Sequence, residues 1–210
     1  MNYQIKKLAK EEYIYIVQWI SRNKDGVKSS VCLSKYYDKY SDIDPIEVRG
    51  LCNLYNARAY IFIADGNKRN ILFNVVQDYL SLLKSENYIL KGYITSEVMK
   101  CRYPYLIIDI DGEEEEWVAI GNDITINYVT EFQKVCIASY LTPNGSHGIL
   151  DRSKFTKDTY DNILRFCEYI SSEKIYGTWT LKKNASLLLD LPDKMITENL
   201  KSQFNGRFDI

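Results

Sequence analysis

The sequence predicts an α/β (α+β) fold in which a mixed sheet is flanked by helices, and three consecutive stretches carry that expectation. Residues 56–64 alternate as a strand, Tyr60 and Phe62 against Ile61 and Ile63. Residues 68–83 place Ile71, Leu72, Val75, Val76, Tyr79, Leu80 and Leu83 at helical spacing. Residues 105–111, Tyr-Leu-Ile-Ile-Asp-Ile-Asp, form an apolar run too short for a helix and bounded by turn residues. Strand, helix and strand in this order pack helices against a sheet.

Composition sets the outer bounds. A chain of 210 residues fits a single domain over 1–210, with room for a smaller N-terminal lobe over 1–100 beside a sheet over 101–210. An apolar fraction of 46% is ample for a core. Lys+Arg 27 against Asp+Glu 28 leaves a net charge of −1 and predicts no broad basic face, so any nucleic-acid contact is local. Cys32, Cys52, Cys101, Cys136 and Cys167 stand apart from one another and from the single histidine, which argues against zinc ligation. Scattered thiols without a signal peptide predict a cytoplasmic protein. No apolar run approaches the ~20 residues of a membrane span. The 18 tyrosines are packing and interface material.

Taken in order, residues 10–20 are apolar at nearly every position from Tyr13. They suit helix or strand, and Lys10-Glu11-Glu12 favours a helix start. A turn is expected at 23–26 and a strand over 29–37. Asp44-Pro45 with Glu47 opens a helix that runs to about Tyr55. After residue 111 the run Gly112-Glu113-Glu114-Glu115-Glu116 reads as a solvated loop. A helix over 124–135, a strand over 136–141 and a hairpin turning at Asn144-Gly145 follow, with the return strand from Ser146-His147. Residues 159–170 carry a helical stripe, 185–190 an apolar strand, and 193–204 a short closing helix.

The chemistry centres on Asp109 and Asp111. Residues i and i+2 of a strand project to one side, so two carboxylates share a face. Such a pair repels unless a cation joins it, and hard cations such as Mg²⁺ or Mn²⁺ take carboxylate oxygens while leaving room for substrate phosphates. His147, the lone histidine, stands beside a tight glycine turn with Ser146; both are candidate phosphate contacts, since a narrow turn admits a ligand to the backbone. Asp190 also ends an apolar run and is a candidate third carboxylate. Arg58, Lys182 and Lys183 are candidate phosphate or template contacts.

An apolar strand ending Asp-x-Asp (106–111), then Thr-Pro-Asn-Gly-Ser-His (142–147), then an apolar step to an acid (187–190) resembles the archaeo-eukaryotic primase, or primase-polymerase, superfamily. Phage-encoded members of that type are similar also in an Asn-Ala-Arg-Ala-Tyr-Ile stretch like residues 56–61. The resemblance implies a catalytic core with an RRM-like sheet and nucleotidyl transfer from nucleoside triphosphates in phage or mobile-element DNA replication. It implies Mg²⁺ or Mn²⁺ on Asp109, Asp111 and Asp190, and His147 on the incoming nucleotide's phosphate. A nucleic-acid template, replication proteins such as a helicase, and a host-cytoplasmic location follow as expectations, with no membrane. Arg152 and Lys154 lie just beyond the hairpin, where the family carries a basic residue. Two alternatives stay open: a primase fold kept as a non-catalytic accessory or nucleic-acid-binding protein, and a nucleotide-sugar transferase using Asp-x-Asp on a metal–diphosphate. The second lacks a Rossmann-like unit ahead of the motif and gives His147 no role.

Overall fold

A computed structural model describes residues 1–26, 28–83, 93–111, 134–173, 177–182 and 186–204. The chain divides into two compact units. The first comprises Met1, Ile5–Tyr103 and Ser186–Asp193; the second comprises Asn2–Gln4, Pro104–Ala185 and Lys194–Ile210. Each holds a four-stranded sheet, and every strand pairing is antiparallel rather than mixed. The described residues form six α-helices, none long and apolar enough to cross a membrane.

The first unit orders its strands β2-β1-β3-β8: β1 (Tyr13–Ser21), β2 (Ser30–Tyr37), β3 (Arg58–Asp65) and β8 (Leu187–Asp190). Residues 13–21 are therefore a strand and not the expected helix. The reason is two-sided burial: Ile14 and Ile16 pack with Phe62, Ala64 and Ile71, while Tyr15, Val17 and Trp19 are buried on the opposite side. A helix buries only a stripe, whereas a covered central strand needs apolar residues at every position. Lys10 belongs to the preceding loop, where its backbone N–H donates to the Tyr15 hydroxyl at 2.8 Å.

Helix α1 (Tyr3–Lys6) opens the chain, and α2 (Pro45–Tyr55) starts as the sequence predicts. Asp44 caps it by accepting from the Ile46 N–H at 2.9 Å, and Pro45 sits where no intrahelical donor is needed. Asn56 ends it in the left-handed conformation, φ 46°. Trp19 donates its indole N–H to the Val48 carbonyl at 3.2 Å, tying α2 to the sheet. Helix α3 (Lys68–Leu83) matches its expected bounds; α4 (Tyr93–Met99) has no counterpart in the sequence reading.

The second unit orders its strands β5-β6-β4-β7: β4 (Tyr105–Asp111), β5 (Cys136–Thr142), β6 (Gly145–Asp151) and β7 (Thr178–Lys182). Helix α5 (Lys157–Glu173) covers one face. Its Ile163, Phe166, Cys167 and Ile170 pack on Leu106, Ile108, Ile110, Leu150 and Trp179. Helix α6 (Glu198–Phe204) guards the β5 edge: the Gln203 amide donates to the Leu141 carbonyl at 2.7 Å and accepts its N–H at 2.8 Å, satisfying backbone groups a sheet edge leaves open. The expected helix over 124–135 and the acid run at 113–116 lie outside the described residues, apart from Lys134 and Val135.

Candidate functional site

The face of the second sheet away from α5 carries Asp109, Asp111, His147 and Lys182, because alternation along four paired strands sorts them onto it. On β4, Leu106, Ile108 and Ile110 join the core beneath α5, leaving Ile107, Asp109 and Asp111 on the other side. Cross-strand register then aligns three rows. Tyr140, His147, Asp109 and Thr180 form the middle one. Thr142, Gly145, Asp111 and Thr178 lie above it, and Ala138, Ile149, Ile107 and Lys182 below.

Within the middle row the polar atoms connect. His147 Nε2 lies 3.1 Å from Asp109 Oδ1, and the Tyr140 hydroxyl lies 2.7 Å from His147 Nδ1. Lys182 reaches diagonally to pair its ammonium with Asp109 Oδ2. Burial alone would raise the Asp109 pKa; the hydrogen bonds from His147 and Lys182 outweigh it and hold the carboxyl well below the usual range. Asp109 is thus an ionised, half-buried acid with a donor on each oxygen. Asp111, at the strand end, is exposed.

The hairpin that delivers His147 turns one residue earlier than expected. Thr142 pairs with Gly145, so the two turn residues are Pro143 and Asn144. Proline pre-sets φ for the first central position of a turn, which draws the turn onto itself. Gly145 starts the return strand at φ +153°, and a Cβ there would stand 1.9 Å from the Ile110 carbonyl oxygen. Glycine is required because β4's own backbone, not a ligand, approaches it.

The other expected site residues have different surroundings. Ser146 is adjacent to His147 in a strand and so points to the opposite face, paired with Ile110, its hydroxyl buried and without a hydrogen-bond partner among the described residues. Asp190 belongs to the first unit and is fully buried. Its Oδ1 accepts from Arg49 Nη2 at 2.6 Å, and its Oδ2 stands 3.2 Å from the Met1 amine, an ion contact without hydrogen-bond geometry. Arg58, also of the first unit and buried, is paired with Asp25 through two nitrogens. Lys183 lies outside the described residues. Asp109, His147 and Lys182 are brought together; Arg58 and Asp190 each serve an ion pair inside the first unit.

Tyr140 and Thr180 were not expected at the site. The hairpin alone signals the first: with 142 opposite 145, register puts 140 opposite 147. Thr180 comes from β7, whose Thr-Trp-Thr-Leu-Lys alternation sends Trp179 and Leu181 into the core and both threonines to the site face.

Asp109 and Asp111 lie on one face of β4, with both Asp109 oxygens met by His147 and Lys182. Mg²⁺ is commonly held by one or two carboxylates together with substrate phosphates and water, and the shared face supplies two. Among the described residues no third His, Cys, Asp or Glu completes a cluster. No family model, no curated protein and no solved structure matches the chain.

Proposed function

We propose that this chain is a metal-dependent nucleotidyl transferase of the primase-polymerase type, acting on nucleoside triphosphates in phage or mobile-element DNA replication. The observation that carries the reading is the register Asp109–His147, which makes two motifs 38 positions apart in sequence direct neighbours on one sheet face. The strand order supports it too. Numbered within the second unit, the sheet runs second-third-first-fourth, with α5 between the third and fourth strands, as in an RRM-like split βαβ sheet. The site lies on the face that α5 leaves free.

In this reading Asp109 and Asp111 hold Mg²⁺ or Mn²⁺. The cation, when bound, neutralises charge that spreads over phosphate oxygens during transfer. The His147 Nε2–H and the Lys182 ammonium, both on Asp109 in the free protein, are donors suited to phosphate oxygens. Asp190 and Arg58 take no part, since each is committed to its buried ion pair. A nucleic-acid template and replication partners such as a helicase belong to the same proposal.

Calorimetry with a nucleoside triphosphate and Mn²⁺ tests it, on the unaltered protein and on the Asp109→Ala, Asp111→Ala double variant. Binding that requires both metal and acids is expected, and Asp109→Ala should lower template-directed incorporation at least ~100-fold, given that even outer partners of metal ligands are worth 10–100-fold. One observation favours a second reading, a non-catalytic nucleic-acid-binding protein: both Asp109 oxygens already have cationic or donor partners. Folded protein that binds no triphosphate would establish that reading instead.

A further inference from the structure

We propose that Tyr140 is the positioning residue of this site: its buried hydroxyl donates to His147 Nδ1 and holds the imidazole in place, so that the Nε2–H selected by Asp109 in the free protein is aimed at a phosphate oxygen in the triphosphate complex. The last clause rests on the function proposed above; the first does not.

Hydrogen-bond roles lead to it by elimination. A neutral imidazole carries one N–H, and which nitrogen holds it is set by the partner of the other. Nε2 lies 3.1 Å from a carboxylate oxygen, a group that only accepts when ionised, so Nε2 must be the donor. Nδ1 is then a lone pair, and the group facing it is the Tyr140 hydroxyl at 2.7 Å, which must donate.

Packing leaves the tyrosine little choice. Its side chain is 3% exposed, its ring meets the imidazole edge-on at 5.1 Å and 65°, and register holds the two residues opposite each other on β5 and β6. A buried Tyr hydroxyl seeks a partner. Tyr140 therefore touches neither phosphate nor metal; it acts through the imidazole by keeping Nε2–H aimed across the sheet.

His147 is the single histidine of the chain, so protein labelled with ¹⁵N-histidine yields one imidazole spin system. Long-range ¹H–¹⁵N correlation near pH 8, above the ordinary imidazole pKa of about 6.5, reads its tautomer directly. The expected spectrum has a protonated-type Nε2 and a lone-pair-type Nδ1. In Tyr140→Phe, with the backbone amide spectrum otherwise retained, Asp109 keeps the proton on Nε2, while Nδ1, without its donor, should shift downfield toward an unbonded lone-pair nitrogen. A proton on Nδ1, averaged nitrogens or a doubly protonated ring in the unaltered protein would overturn the proposal without any variant. A Tyr140→Phe spectrum identical to the parent's would do the same. Inorganic triphosphate with Mg²⁺ is then added: a shifted Nε2 supports the phosphate contact, whereas a locked but unresponsive Nε2–H leaves the positioning role standing and removes the nucleotide reading.

Discussion

Each sheet of this protein ends an apolar strand in an aspartate, and the two acids have opposite fates. β8 runs Leu-Leu-Leu-Asp alongside β3, which like β1 beyond it is buried almost throughout. Asp190 there is fully enclosed and answered by Arg49. β4 runs into a sheet whose face away from α5 carries a row of polar residues, and Asp109 stands in that row beside His147 and Lys182. In sequence both look like a strand followed by an acid. The difference lies in the company each acid keeps: Asp190 is fully enclosed against a guanidinium, whereas Asp109 keeps some exposure beside an imidazole and a lysine whose ammonium reaches solvent.

Replacement of each acid by its amide separates the two most sharply. Removing one partner of a buried pair costs about 3–5 kcal/mol. Asp190→Asn should fall near the lower end, about 3 kcal/mol, since Arg49 keeps Asp193 at 2.8 Å. Asp109→Asn should cost only about 1 kcal/mol or less, because Lys182 is 46% exposed and can return to water. Urea unfolding of both variants, with midpoint and slope compared, checks the ordering. Equal costs would erase the distinction between structural and site acid.

The local rules of the sequence found most of this. Asp44-Pro45 fixed α2, the apolar spacing of 68–83 fixed α3, and the run to Asp111 fixed β4, because caps and periodicities act within a few residues. The strand β1 was lost because an apolar run with both faces buried has no period to read. The ion pairs of Asp190 and Arg58 were hidden for another reason: partnership with Arg49 or Asp25 is a long-range fact that no local pattern encodes. Ser146 differs again. Strand alternation alone puts it on the face opposite His147, as firmly as it puts Asp109 and Asp111 on one face.

Acid sharpens the comparison from the side of Asp109. The Asp109 pKa is depressed in the folded state, so below the unfolded value of about 3.9 the unfolded chain binds more protons at this position. Its contribution to stability is complete above that pH and is lost as pH falls toward the folded value. Parent protein and Asp109→Asn, unfolded in urea at a series of pH values, should differ most near neutrality and converge below about pH 4. A gap that persists unchanged into stronger acid would mean the ionised form of Asp109 is not what His147 and Lys182 stabilise.

The smallest effect divides the two faces of one strand. Ser146 and His147 are consecutive, yet Ser146 Oγ is buried on α5's side of the sheet with no hydrogen-bond partner among the described residues, while His147 sits in the polar row. A buried hydroxyl without a partner carries a desolvation cost that returns nothing, so Ser146→Ala should be neutral or stabilising by up to about 1 kcal/mol. It should leave triphosphate binding unchanged within error, whereas His147→Ala should weaken it. If Ser146→Ala instead reduced affinity as His147→Ala does, the hydroxyl would have to reach the ligand across the sheet. That requires β6 to shift register by one residue, exchanging the faces of every side chain on it and taking Leu150 out of the core.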